Sequence, residues 1–230
     1  KKEECSDQDS RRIVQYWEII PPEKETDPWF LIPAEDYERH MADPKVDQLD
    51  FLNAVFKGVL KRHPPKKLLV AGCATGNGFE HIDYNTIEKV VALDINPEYI
   101  EILRRRFIEH LDKIETICAD INTFKLPGAS FDLIHCALIF EYLDPEKIVG
   151  PLRQWLVPGG LMSVVLQVPD PTSSPVTGTA YKSLKCLEGF MRPLNPKDFD
   201  MIAAANGLNV RESRTCRLLS GKEFYIALYS

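Results

Sequence analysis

Residues 68–78 read LLVAGCATGNG, with glycines at Gly72, Gly76 and Gly78, and the next apolar run, VVAL, ends on Asp94. Glycine reaches φ > 0 and lets a ligand lie close to the backbone. Asp94 stands 22 residues after Gly72. At about that separation a nucleotide-binding α/β fold sets an acid against ribose hydroxyls. The spacing therefore supports an adenosine-containing ligand at the top of a parallel sheet. The dinucleotide signature G-x-G-x-x-G is absent: Ala74 takes its second glycine position, and the spacing is G-x-x-x-G-x-G. No G-x-x-x-x-G-K-[ST] run occurs either. With neither phosphate cradle present, the turn suits a ligand that brings no phosphate.

LLVAGCATG resembles the first motif of the class I S-adenosylmethionine-dependent methyltransferases, V-L-D-x-G-C-G-T-G. The resemblance continues in order along the chain: CADI at 118–121, FDLIHCALIFEYLDP at 131–145 and LRQWLVPGGLMSVVL at 152–166. It covers residues 66–168. It implies a Rossmann-like, doubly wound α/β fold: a mostly parallel seven-stranded sheet with an antiparallel C-terminal strand, under a helical N-terminal arm. It implies S-adenosylmethionine as cofactor and S-adenosylhomocysteine as product. Carried over residue by residue, Gly72, Cys73, Ala74 and Gly76 would line the donor, and Asp94 with Ile95 would hold the ribose. Asp120 and Ile121 would hold adenine, and Ala137 would face the sulfur. Two positions depart from the motif: its acid is Val70 and its middle glycine is Ala74, so the amino-acid end of the cofactor is held differently here.

Methyl transfer from a sulfonium is an in-line displacement, and positioning of the nucleophile supplies much of its catalysis. A base is needed only where the acceptor is protonated at neutral pH. In the family the loop after the fourth strand, residues 137–142, lies near the reactive methyl. It lacks the Asn/Asp-Pro-Pro-aromatic tetrapeptide of enzymes that methylate base amines, and no Pro-Cys nucleophile follows the strand. Phe140, Glu141 and Tyr142 are candidates to contact substrate or assist chemistry; the alternative is that Tyr142 packs and Glu141 faces water. In DYERHM, residues 36–41, helical spacing sets Tyr37, His40 and Met41 on one face. That face is a candidate for the acceptor pocket, with His40 as a base, or else it only docks the arm. His135, inside a strand, reads as structural.

The 230 residues carry a net charge of −6 and are 44% hydrophobic, which suits one large domain. Nucleic-acid binders show a basic face, so the acidic balance argues against such substrates, and Arg104–Arg106 reads as a solvated helix end. Six cysteines without C-x-x-C or zinc spacing suggest no metal and a reducing, cytoplasmic setting, with Cys73, Cys118 and Cys136 as free thiols. No apolar run approaches the length of a membrane span.

The arm and its helix occupy residues 1–63, and the cofactor-binding domain 64–230, as one compact unit. Ser10 can cap a helix through Trp17, Asp36 a short helical piece, and Asp43-Pro44 a helix through 46–62. Strands are expected at 67–71, 89–93, 115–119, 131–136 and 160–167, and helices at 77–83, 97–111, 145–155 and 196–207, before two closing strands. Residues 169–195 break this rhythm and are expected to form a substrate lid. The function expected is methyl transfer to an O or N atom of a small molecule. A protein or RNA methyltransferase and a non-catalytic cofactor-binding scaffold remain alternatives, and oligomeric state is open.

Overall fold

The computed structural model describes residues 27–126 and 128–230. The helix expected over 10–17 lies outside the described residues. Strands β1 (Lys67–Ala71), β2 (Lys89–Asp94), β3 (Ile114–Cys118), β4 (Phe131–Ala137), β5 (Leu156–Gln167), β6 (Val210–Arg217) and β7 (Glu223–Tyr229) form one sheet. Its order is β3-β2-β1-β4-β5-β7-β6. β1 to β5 pair in parallel, and β7 runs antiparallel between β5 and β6. This is the mostly parallel, doubly wound architecture that the sequence implies.

The period-2 alternation of a strand explains the two cores. Leu69 and Ala71 of β1, with Val91 and Leu93 of β2, turn towards α4 (Pro145–Trp155) and α5 (Pro196–Ala205), where they meet Val149, Leu152, Phe199 and Ala203. Leu68 and Val70, with Val90 and Ala92, turn the other way, towards α2 (Leu49–Arg62) and α3 (Pro97–Arg106), and meet Phe56, Val59, Ile100 and Leu103. Burial on both faces is why these strands read as continuous apolar runs. Val70, at the motif's acid position, is thus a core side chain.

Three helices start on the same device, a capping side chain followed by proline. Asn96 Oδ1 accepts from Glu98 N, Asp144 Oδ1 from Glu146 N and Asn195 Oδ1 from Lys197 N, at 2.9, 3.2 and 3.0 Å. The Asp43-Pro44 signal behaves differently. Asp43 accepts from Lys45 N within a turn, Asp47 adopts φ +58°, and α2 begins only at Leu49. Asp36 does not cap either. Helix α1 (Ala34–Ala42) starts after Pro33, and Asp36 accepts from Ser183 Oγ at 2.6 Å. The helix expected over 77–83 is a single 3-10 turn, Phe79–His81, because Gly78 at φ +88° precedes it. The helix expected to run to 111 stops at Arg106, and β5 begins at Leu156, earlier than expected.

Over the C-terminal edge of the parallel strands sit α1, a 3-10 segment Pro28–Leu31 and a second one, Lys182–Leu187. They share an apolar cluster of Ile32, Val176, Leu184, Leu187 and Met191, flanked by Trp29, Tyr37 and Tyr142.

Candidate cofactor and acceptor site

The chain leaves β1 through a turn in which Gly72, Ala74, Gly76 and Gly78 all have positive φ. Ala74, at φ +45°, pays the steric cost of a Cβ in the left-handed region. Gly72 N and Cys73 N both donate to Leu93 O, at 2.8 and 3.1 Å, which ties the turn to the end of β2. Asp94 completes the tie. Its Oδ2 accepts from Ala74 N at 2.8 Å, and its Oδ1 accepts from Asn96 N at 2.9 Å. Burial pushes this carboxyl up to about 6, against the pull of the Asn96, Ala74 and Ile95 amides, while Asp27 adds a further upward push.

These groups line a cavity of about 250 Å³ along the C-terminal edge of the sheet, the place where open α/β sheets bind ligands. Of the residues singled out from the sequence, Gly72, Ala74, Asp94, Ile95, Asp120, Ile121 and Ala137 line it, as do Tyr37, His40, Met41 and Tyr142. Four others do not. Cys73 is buried in the core beside Val70. Gly76 lies against α3, where a Cβ would meet Phe107 at 2.9 Å and Leu103 at 3.1 Å. Phe140 is buried against Phe199, ring centroids 4.6 Å apart.

Glu141 also turns inward, so that it neither lines the cavity, as a candidate for contact with substrate would, nor faces water, the alternative reading. It is 1% exposed; its Oε1 accepts from Gln167 N at 2.6 Å, and its Oε2 has no partner among the described residues. Burial raises this carboxyl to about 7.

One end of the cavity is acidic. Asp27, Asp94 and Asp120 all line it. Asp120 Oδ1 accepts from both the backbone and the side-chain amide of Asn122, each at 2.8 Å. Asp27 Oδ1 accepts from Trp29 N at 2.9 Å; burial and then the charge of Asp120 raise its carboxyl, against that amide. Trp29 stands edge-on to Tyr142, centroids 4.9 Å apart, and its carbonyl accepts from Asn96 Nδ2 at 2.9 Å.

The other end is basic and apolar. His40 Nδ1 pairs with Thr179 Oγ1 at 3.0 Å. Burial, and then Lys222, lower this imidazole, against Asp43. Lys222 Nζ donates to Pro175 O and, at 3.4 Å, to Gln167 Oε1. Because β7 is antiparallel to β5, its first residues return to the C-terminal edge of the parallel strands, and Gln167 pairs with Phe224. Four strand spacings separate β2 from β7 in the sheet, which sets Asp94 and Lys222 about 19 Å apart across the strands.

Helix α1 is fastened to the glycine turn by a group that the sequence reading did not single out. Glu38 makes a two-pronged pair with Arg106 and accepts from Thr75 Oγ1. Arg106 is therefore an anchor for α1 rather than part of a solvated helix end. Asp27, Gln48, Gln167, Thr177 and Lys222 also line the cavity without having carried a readable signal. His135 is structural, as expected: it stacks on Phe56 at 4.4 Å and pairs with Ser163 Oγ at 3.1 Å. Cys73 and Cys136 are buried free thiols.

A family model described as "Methyltransferase domain" matches residues 69–164. An uncharacterized methyltransferase-like protein of Schizosaccharomyces pombe is 25% identical over 46% of this chain and 40% of its own length. A malonyl-[acyl-carrier protein] O-methyltransferase of Halalkalibacterium halodurans is 28% identical over 46% of this chain and 41% of its own. The match thus spans about two fifths of these curated relatives' lengths. The crystal structure of N-methyltransferase NodS from Bradyrhizobium japonicum, in complex with S-adenosyl-L-homocysteine, shares the fold. It has a TM-score of 0.60 at 21% identity, over 89% of this chain and 91% of that one. In its domain match, its relatives and its fold, the chain is similar to the class I S-adenosylmethionine-dependent methyltransferases.

Proposed function

We propose that the chain binds S-adenosylmethionine along the edge of β1 to β4 and moves its methyl group to an O or N atom of a small-molecule acceptor. The observation that carries this reading is the fastening of the glycine turn to Asp94 at the cavity wall. The residues fit the cofactor. A Cβ on Gly72 would stand 3.2 Å from Ile139 Cδ1, so only glycine leaves the wall open there. Each oxygen of Asp94 spends one acceptor site on a backbone amide and keeps another for a ribose hydroxyl. Asp120 and Ile121 would border the adenine, and the acidic end suits a ligand of positive charge.

Bound S-adenosylmethionine would supply an activated methyl on a good leaving group. The chain's own part is to position and to exclude water. Residues 27–63 and 169–195 cover the site in this reading, with the apolar cluster around Ile32, Leu184 and Met191 closing it. Tyr37, Met41 and Tyr142 would wall the acceptor. His40, held neutral by burial and by Lys222, would take a proton from a hydroxyl or ammonium acceptor at its Nε2. Glu141 would act from below, by fixing the end of β5.

The test is turnover on a panel of small phenols, carboxylates and amines, followed by mass spectrometry of S-adenosylhomocysteine and the methylated product. Product with any small acceptor supports the reading. Product only with protein or RNA fractions overturns the acceptor class, and cofactor binding without any product leaves a scaffold.

A further inference from the structure

The basic end of the cavity has a chemical character that the proposed methyl transfer does not itself require. Lys222 lines the cavity, yet both its acceptors, Pro175 O and Gln167 Oε1, are neutral. No carboxylate pairs with it among the described residues. Its chain neighbour Glu223 pairs with Arg217 instead, at 3.9 Å. The three carboxylates that line the cavity belong to the opposite end, where Asp94 stands about 19 Å away across four strand spacings. A half-buried ammonium without a counter-charge is costly, and burial alone lowers it to about 8.

The polar side chains around it bring no acid: His40 feels the charge of Lys222, and Gln48, whose N donates to Met41 O at 3.2 Å, follows on from the same helix. His40 lines the same end, and among the described residues only its Nδ1 is engaged. Gln48 is 6% exposed and lines the cavity, and its side-chain amide has no hydrogen-bond partner among the described residues. Around them the wall is apolar, with Met41, Val176 and Leu187.

We propose that this end is an anion subsite: the acceptor is a small organic acid whose carboxylate pairs with Lys222, with Gln48 donating beside it and the apolar body lying along Met41, Val176 and Leu187. The proposal rests on the reading of the cavity as a methyltransferase site, but its chemistry belongs to this chain's own side chains. The same ammonium holds residue 175 through its carbonyl, so arrival of the carboxylate would also set how the segment over the cavity lies.

The experiment is calorimetric titration of the full chain, with and without S-adenosylhomocysteine. The probes are benzoate, 4-hydroxybenzoate, phenylacetate, hexanoate and octanoate, each beside its own carboxamide. At least one acid should bind about tenfold or more tightly than its amide, the scale of one charge-assisted hydrogen bond. Lys222→Met should abolish that preference and Lys222→Arg should keep it. Both variants should bind S-adenosylhomocysteine within about twofold of the unmodified chain, which also shows that they fold. The proposal is overturned if no acid outperforms its amide, or if the preference survives in Lys222→Met. An acid preference without any binding of S-adenosylhomocysteine upholds the anion subsite and removes the cofactor reading.

Discussion

Replacing Asp94 by asparagine tests the cofactor end of the cavity in a way that a truncation does not. The two side chains have nearly the same shape, but only the carboxylate accepts on both oxygens. In this fold both oxygens are used, by Ala74 N and Asn96 N. In Asp94→Asn one of those amides must face an NH2 group, and the ribose loses its charged acceptor. Hydrogen bonds to charged groups contribute about 1.5–3 kcal/mol each. Loss of one such contact predicts a dissociation constant for S-adenosylhomocysteine raised about 10- to 150-fold. Asp94→Ala should lose at least as much. A pH profile adds a second signature. Burial lifts the Asp94 carboxyl to about 6, and the ionised form is the one that accepts from ribose hydroxyls. Affinity should therefore weaken by about tenfold for each pH unit below that value, as the competent fraction falls. The slope should vanish in Asp94→Asn. Calorimetric titration between pH 5 and pH 8 reads both effects (a range about one to two units either side of the carboxyl's value). An asparagine variant that binds within about twofold of the parent and keeps the pH slope would refute the assignment.

The glycine turn yields a paired prediction from thermal unfolding. Gly76→Ala, which must fit a Cβ 2.9 Å from Phe107 at φ +90°, should cost about 2 kcal/mol or more, whereas Ala74→Gly should be neutral or stabilising by up to about 1 kcal/mol. Glu38→Ala should unpin α1 from the glycine turn and weaken S-adenosylhomocysteine by about three- to tenfold; an unchanged dissociation constant would show that α1 seats without the Arg106 pair. His135, pushed down to about 4 by burial, is neutral when folded and protonates near 6.5 when unfolded. Its contribution is complete above 6.5 and is lost as pH falls towards 4, so in acid the midpoint of His135→Leu should fall less than that of the parent. Glu141 has the opposite sign. Raised to about 7, it favours the folded state below its unfolded value and loses that effect as pH rises through 7. Glu141→Gln should therefore gain on the parent in thermal stability between pH 5 and pH 8, and parallel midpoints would show that it is not buried as described.

The Asp94 end of the cavity was legible in the sequence because its signals are local. Gly72, Ala74 and Asp94 lie on consecutive strand ends of a parallel sheet, and the alternation of strand and helix fixes which ends converge. Asn96-Pro97 marks the start of α3 by a cap that needs no tertiary information. The Lys222 end was largely illegible because its geometry is long-range. Lys222 reaches the cavity only through the antiparallel register that sets Gln167 against Phe224, and a hairpin's sequence does not state which strand it will join. Asp27 enters as the cap of a short 3-10 segment without periodicity. Glu141 misled because a carboxylate next to a loop reads as solvated, whereas here it caps a buried backbone amide at Gln167. Gly76 misled for a related reason: its freedom serves close packing against Phe107 and Leu103 rather than approach of a ligand. The Asp43-Pro44 start signal was overridden by the left-handed Asp47 four residues later.

Whether the cavity over β1 to β4 holds S-adenosylmethionine is read by thermal unfolding of the full chain with S-adenosylmethionine, S-adenosylhomocysteine, NAD and NADP, side by side. A ligand present at about 100 times its dissociation constant adds about 2.7 kcal/mol, a midpoint rise of about 5–10 °C for a chain of this length. That rise is expected with the two sulfur nucleosides alone. A rise with a dinucleotide alone, or none with either sulfur nucleoside, would contradict it.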